Sequence, residues 1–287
     1  MGMAIRPLSD VLGAEITGID LARRPGDAVF AEIEAAFHRY RVLVFRDQFL
    51  APADQVAFSA RFGPLEVHDN ARFKLAGHDT VLVLSNDLRD GEPVGVPDAG
   101  DSWHTDLSFK ERPALCTLLQ AVRLPARGGD TEFACMTAAY RALPAAIKTR
   151  IAGLRAIHTI NKLRNPRIAI SPLRRDAQKF YAAQGERFAD RTHPIVRTHP
   201  ATGKKSLYVQ PRFTIGIEGM ADEEAQPLLD ALFAHQVRPG LVYRNRWRDG
   251  DLLMWDNRCV IHRAAGGYAW PDVRTMHRTT VLGDEPV

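Results

Sequence analysis

Gly250-Asp-Leu-Leu-Met-Trp-Asp-Asn-Arg-Cys-Val-Ile-His262 is the stretch from which the fold reads outward. Leu252 to Trp255 is a compact apolar run with strand character. The whole segment from Asp251 to Ile261 is strand-like, and it delivers His262 among apolar and aromatic neighbours, with Arg263 directly behind. Similar short runs recur at Arg41–Phe45, Val81–Leu84, Leu115–Val122, Leu207–Val209, Leu241–Asn245 and Arg274–Val281. Helical spacing marks 28–40, where Val29, Ile33, Ala36, Phe37 and Tyr40 share a face, and also 51–62, 138–143 and 221–235. Many short strands, turns rich in glycine and few βα repeats predict a mainly β chain with peripheral helices, built as a barrel or two-sheet sandwich. The arginine-rich segment 145–185 lacks strand periodicity and reads as a helical or looped insertion, reaching to about residue 200.

The chain has 287 residues, 45% of them apolar and 25% charged, which suits an ordinary globular protein with a large core. Eighteen prolines and 21 glycines are spread along it without one long linker, so residues 1–287 read as one domain. The net charge of +4 is a small surplus with no basic stripe behind it, and argues against a nucleic-acid partner. No apolar run approaches the roughly 18 residues of a membrane span, and the first ten residues hold no signal core. Cys116, Cys135 and Cys259 are odd in number and unpaired by spacing, which points to a reducing cytoplasm. Neither a Gly-x-Gly-x-x-Gly fingerprint nor a phosphate-binding loop is present, which weighs against dinucleotide or nucleoside-triphosphate chemistry.

His104-Thr-Asp106 supplies an imidazole and a carboxylate two positions apart, which on an extended segment face the same way. Taken alone it is weak evidence for a metal, and a hydrogen-bonded surface pair is the plainer explanation. His262 is the best third donor. Two histidines and one carboxylate occupy one face of an octahedral ferrous ion and leave positions open for a cosubstrate and oxygen. A zinc hydrolase could use such ligands, but neither His-Glu-x-x-His nor paired cysteines occur. In the C-terminal strand Arg274 and Arg278 share a face and can each grip a carboxylate, while His277 faces away.

The order of Val42-Leu-Val-Phe-Arg46, Phe62-Gly-Pro-Leu65, Trp103-His-Thr-Asp106, Gly128-Gly-Asp-Thr131, the Gly250–Arg258 segment, His262 and Arg274-Thr-Met-His-Arg278 resembles the taurine/2,4-dichlorophenoxyacetate dioxygenase family over nearly the whole chain. The resemblance implies a double-stranded β-helix, a jelly roll of cupin type, and a dependence on Fe(II), 2-oxoglutarate and O2. It implies that His104, Asp106 and His262 ligate iron and that Arg274 and the Thr131 hydroxyl hold the distal carboxylate of 2-oxoglutarate. Arg278 and His68 are implied to face the anionic group of the substrate. The implied reaction couples hydroxylation of a small organic anion to decarboxylation of 2-oxoglutarate to succinate and CO2, in a homodimer or homotetramer.

Two departures bear on the substrate. Ala71 replaces a tyrosine and Gly100 an asparagine of the taurine-specific pattern, removing polar contacts suited to a small amino sulfonate. Arg244-Asn-Arg246, Asp256-Asn-Arg-Cys259 and Glu132-Phe133 resemble the branch that cleaves aryloxyalkanoates. An aryloxyalkanoate, alkyl sulfonate or alkyl sulfate is therefore the expected substrate, against taurine itself, another small acid or amino-acid derivative, or a protein that binds 2-oxoglutarate without turnover. Tyr208, Phe213, Phe180 and Tyr181 are candidates for a pocket wall or lid, and Trp103 and Trp255 for core support.

Overall fold

The computed structural model describes residues 2–68, 71–97, 99–169 and 177–287. Two sheets face one another. The larger has eight strands in the order Ala4–Pro7, Ala14–Thr17, Val42–Phe45, Leu252–Asp256, Ala114–Arg123, Thr275–Leu282, His78–Ser85 and Lys74–Leu75. The smaller places Thr131–Cys135 between Val242–Asn245 and Val260–Ala264, all antiparallel. His104 extends it by a single bridge to His262, closed by reciprocal backbone bonds of 3.0 and 2.7 Å. This is the expected jelly roll.

The apolar run 252–255 is buried throughout because its two faces meet different partners. Leu252 and Met254 pack with Ile33, Phe37, Leu43, Phe45 and Phe58 under the helices Asp27–Tyr40 and Pro52–Ser59. Leu253 and Trp255 point the other way, into the space between the sheets, with Leu119, Phe133, Ile261 and Met276. Strand parity thus divides one hydrophobic run between two cores.

Several local expectations change, among them the strand at Leu207–Val209, which forms instead at Lys205–Leu207. The strand-like segment 251–261 is two strands, Leu252–Asp256 and Val260–Ala264, joined by a turn at 257–259, so they belong to different sheets and His262 lies within the second. Thr131 begins a strand, Thr131–Cys135, which had been overlooked between the Gly128-Gly129 turn and the next helix because it holds only five residues. That helix, Met136–Arg141, starts two residues earlier than expected. The segment expected to be helical or looped contains the strands Arg155–His158, Arg191–Pro194 and Val196–Thr198 besides the helices Ala145–Ile151 and Ala177–Arg187. Arg155–His158 is central in a three-stranded sheet, with Ala156 and His158 buried. Four residues carry too little pattern to announce a strand. The part of this segment at 170–176 lies outside the described residues.

Candidate active site

His104, Asp106 and His262 come together between the sheets, each less than a tenth exposed. His104 Nε2 lies 3.8 Å from Asp106 Oδ1, and His262 Nε2 lies 3.8 Å from Asp106 Oδ2. The three candidate donor atoms all fall within 4.8 Å of one another, as ligands of one ion must. The segment bearing the pair is extended only as far as Thr105. Asp106 opens a turn, with Leu107 at φ +60°, so the turn aims the carboxylate as much as strand alternation does.

The surroundings fix each donor. His104 Nδ1 is 2.8 Å from the Ser102 carbonyl, which keeps the proton on Nδ1 and leaves the Nε2 lone pair free for a metal. Nδ1 of His262 is buried without a partner among the described residues. Burial pushes the pKa of His104 well below the usual histidine value and that of His262 down to about 4, so both rings are neutral. Burial also pushes the Asp106 carboxyl up, but the Arg278 guanidinium and a 2.7 Å hydrogen bond from Thr117 Oγ1 hold it below the usual carboxylate range. Neutral imidazoles and an ionised carboxylate are the donor states that Fe(II) requires, so these residues fit the ion.

Asn257, overlooked in the sequence, ties this arrangement to the larger sheet. Its Oδ1 accepts from the Asp106 backbone (3.0 Å), Thr105 Oγ1 (3.2 Å) and Trp255 Nε1 (3.2 Å), while its Nδ2 donates to Thr117 Oγ1 (2.9 Å). Its place inside the motif Asp256-Asn-Arg258 was the available signal. Phe213 stands edge-on to His104, with ring centroids 6.1 Å apart, and Trp255 packs on His262 at 4.6 Å. Of the other expected aromatics, Tyr208 packs against His158 and His193, Phe180 and Tyr181 pack on each other, and Trp103 lies under Arg263.

The two C-terminal arginines meet different neighbours. Arg278 Nη1 is 3.4 Å from Asp106 Oδ1 and its Nη2 is 3.5 Å from His68 Nε2. His68 is buried, which with Arg278 and Lys110 nearby pushes its pKa down to about 3. Behind it Glu66 accepts from Lys110 Nζ at 2.7 Å, and both residues were overlooked. Arg274 precedes the last strand. Its Nε donates to the Gly129 carbonyl at 3.0 Å, and its backbone N–H donates to Asn86 Oδ1 at 2.8 Å. Burial lowers the Arg274 pKa, and the nearby Asp130 pairs with Arg244 instead, at 2.8 Å. Thr131 shares a sheet face with His262, because Thr131 pairs with Ala264 and Phe133 with His262. Gly100 abuts His104, where an added Cβ would lie 3.6 Å from His104 Cε1.

A second cluster, His199, Asp256 and Cys259, has donors equally close together. Its atoms are already engaged: His199 Nε2 donates to Asp256 Oδ2 at 2.9 Å, Arg258 takes both Asp256 oxygens, and burial pushes the Cys259 thiol well up. It is a structural network.

A jelly roll with two neutral histidines and one carboxylate converging between its sheets defines a non-haem iron oxygenase. Residues 4–280 match the family model described as taurine catabolism dioxygenase TauD, TfdA family. The chain is 36% identical to the alpha-ketoglutarate-dependent 2,4-dichlorophenoxyacetate dioxygenase of Cupriavidus pinatubonensis, with 100% of both chains covered. It is 33% identical to the (S)-phenoxypropionate/alpha-ketoglutarate-dioxygenase of Sphingobium herbicidovorans, covering 98% of this chain and 95% of that one. Among solved structures, AAD-2 in complex with Mn(II) and N-oxalylglycine superposes with a TM-score of 0.83 at 32% identity, covering 100% of this chain and 98% of the other. The chain belongs to the TauD/TfdA dioxygenase family. It is an oxidoreductase that depends on Fe(II), 2-oxoglutarate and O2.

Proposed function

We propose that His104, Asp106 and His262 hold the iron, that Arg274 and the Thr131 hydroxyl hold the distal carboxylate of 2-oxoglutarate, and that Arg278 with His68 receives the anionic group of an aryloxyalkanoate. The observation that carries this reading is Arg274. It is a cation only 7% exposed, and among the described residues no carboxylate lies within ion-pairing distance. A buried charge without a counter-charge is costly, and a bound carboxylate supplies the missing partner through paired, charge-assisted bonds. Thr131, two residues beyond Gly129 and on the smaller sheet, adds a hydroxyl to the same clamp.

When bound, Fe(II) with 2-oxoglutarate and O2 supplies the oxidant for one C–H bond of the substrate. The chain's part is positional. Ser102 and Asn257 fix the donors, Arg278 stays against Asp106 while reaching the substrate's anion, and Phe213 and Trp255 keep the space beside the histidines apolar. Hydroxylation at the carbon bearing the aryl ether oxygen gives a hemiacetal, which collapses to a phenol and an oxo acid. The likeness to the 2,4-dichlorophenoxyacetate and (S)-phenoxypropionate dioxygenases supports this substrate class, and so does Gly100, which leaves room beside His104 where an asparagine would project.

The whole chain is read as one catalytic unit with an inserted segment at about 145–200. Among the described residues no helix is long and apolar enough to cross a membrane. The three cysteines are all free and buried, which supports the reading of a reducing cytoplasm. Self-association as a homodimer or homotetramer rests on the family resemblance.

Anaerobic reconstitution with Fe(II) and 2-oxoglutarate, followed by exposure to oxygen, tests the assignment across aryloxyalkanoates, alkyl sulfates, alkyl sulfonates and taurine. Succinate formed in step with a phenol from an aryloxyalkanoate is the expected result. Coupled product only from a sulfate or sulfonate would move the substrate class, and no coupled product from iron-loaded protein would remove it.

A further inference from the structure

Trp247 lies just beyond the strand Val242–Asn245 in the stretch Arg246-Trp-Arg248, and its indole touches both halves of the proposed cosubstrate clamp. Its Nε1–H donates to Thr131 Oγ1 at 3.0 Å. Its ring faces the Arg274 guanidinium, with Cζ 5.6 Å from the ring centroid. On its other side Arg274 is held by the Gly129 carbonyl, and a Cβ on Gly129 would come within 3.0 Å of Arg274 Cδ. Arg274 is thus confined between a glycine turn and an aromatic ring.

The hydrogen-bond inventory sets the consequence for Thr131. A hydroxyl has one hydrogen and two acceptor positions, whereas an indole N–H can only donate. With the indole on one lone pair, the hydroxyl hydrogen must point elsewhere, and among the described residues no acceptor takes it. A carboxylate only accepts, so a threonine already fixed as an acceptor toward Trp247 is set to donate to it. The indole bond also polarises the O–H and strengthens that donation.

We propose that Trp247 is a positioning residue for 2-oxoglutarate: its N–H orients the Thr131 hydroxyl as a donor while its ring steadies Arg274, so that both converge on one distal carboxylate. The inference rests on the reading of Thr131 and Arg274 as the cosubstrate clamp.

The test measures binding without turnover. Protein loaded with Zn(II), which has no redox chemistry, is titrated calorimetrically with N-oxalylglycine, which keeps both carboxylates of 2-oxoglutarate. Trp247→Phe removes the N–H and keeps an aromatic face, whereas Thr131→Val removes the hydroxyl. Thr131→Val should weaken binding about tenfold, the loss of one charge-assisted hydrogen bond, and Trp247→Phe should weaken it by roughly threefold to tenfold, because the hydroxyl remains but is no longer oriented. The double variant should bind within about twofold of Thr131→Val alone, because the indole acts through the hydroxyl. Losses that multiply in the double variant, or wild-type affinity in Trp247→Phe, overturn the proposal. Wild-type affinity in both Thr131→Val and Arg274→Ala instead overturns the clamp itself, whatever Trp247 does. If Trp247→Phe does not fold, the indole N–H resonance of Trp247 in wild-type protein decides. It should move when N-oxalylglycine is added, and an unmoved resonance sinks the idea.

Discussion

Asp256 is fully buried, and its two oxygens take two side-chain N–H groups of Arg258 at 2.8 Å each, the Arg258 backbone N–H at 3.0 Å and His199 Nε2 at 2.9 Å. Burial pushes this carboxyl up, but Arg258 and then His199 overcome that and hold it well below the ordinary value. A carboxylate with a depressed folded pKa stabilises the native state fully above its unfolded pKa of about 4, and loses that contribution as pH falls through the folded value. Asp256→Asn should therefore cost about 3 kcal/mol at pH 7, since it leaves Arg258 buried without its charge partner. The gap from wild type should narrow steadily as urea unfolding is repeated from about pH 5 down to pH 2. A gap that stays constant with pH would show that the carboxylate's charge is not what matters. At this scale the sequence is legible where charge and spacing coincide: His104, Asp106 and His262, which the fold brings together, stand out as candidate donors, and Arg274 and Arg278 as candidate anion grips. Asn257, Thr117 and Trp247 do not, because a neutral side chain takes its meaning from the partner it meets, and those partners come from distant parts of the chain.

Gly128-Gly-Asp-Thr131 is where an element, more than a residue, sets the site. Gly128 has φ +73°, and a Cβ there would lie 2.5 Å from the Gly267 carbonyl oxygen, so only glycine lets the two loops touch. The same turn presents the Gly129 carbonyl to Arg274 and starts the strand bearing Thr131. Gly128→Ala should cost roughly 2 kcal/mol or more and should weaken N-oxalylglycine binding well beyond its effect on metal binding. Gly153 is the control, with φ +74° but open space around its Cβ position. Gly153→Ala should lose only about 1 kcal/mol and leave binding unchanged. Equal binding losses in the two variants would mean that the contact with Gly267 does not set the clamp. The helices 27–40 and 52–59 and the long strands are legible in the sequence because their periodicity runs far enough to be counted. The strands Thr131–Cys135 and Arg155–His158 are not, and the turn at 257–259 is hidden because polar Asp256-Asn-Arg258 is buried between two apolar runs. Burial there follows from hydrogen bonds within the network, which no hydropathy pattern displays.

Across the whole molecule, the site draws on both sheets and on distant parts of the chain. His262 and Thr131 come from the smaller sheet, whereas Thr117 and Arg278, which hold Asp106, come from neighbouring strands of the larger one. The larger sheet itself joins strands from both ends of the chain sequence, Ala4–Pro7 at its edge and Thr275–Leu282 in its interior. Neither sheet holds the complete proposed ion site, so metal and cosubstrate held there bind only when the two sheets are docked, and their binding free energy adds to the stability of the docked state. Metal with N-oxalylglycine at about a hundred times its dissociation constant should raise the unfolding free energy by about 2.7 kcal/mol, in a transition that stays single. A chelator should return the protein to its apo stability without unfolding it, because the cores on either side of the larger sheet are built without the ion. His262→Ala should abolish the gain and lower apo stability by about 2 kcal/mol, the cavity cost of a buried ring packed on Trp255, while the transition stays single. Calorimetric scans with and without ligand, on wild type and His262→Ala, check all three points. A gain that survives in His262→Ala would place the stabilising ion elsewhere, and two separate transitions would mean that the sheets fold independently and the site joins them only weakly.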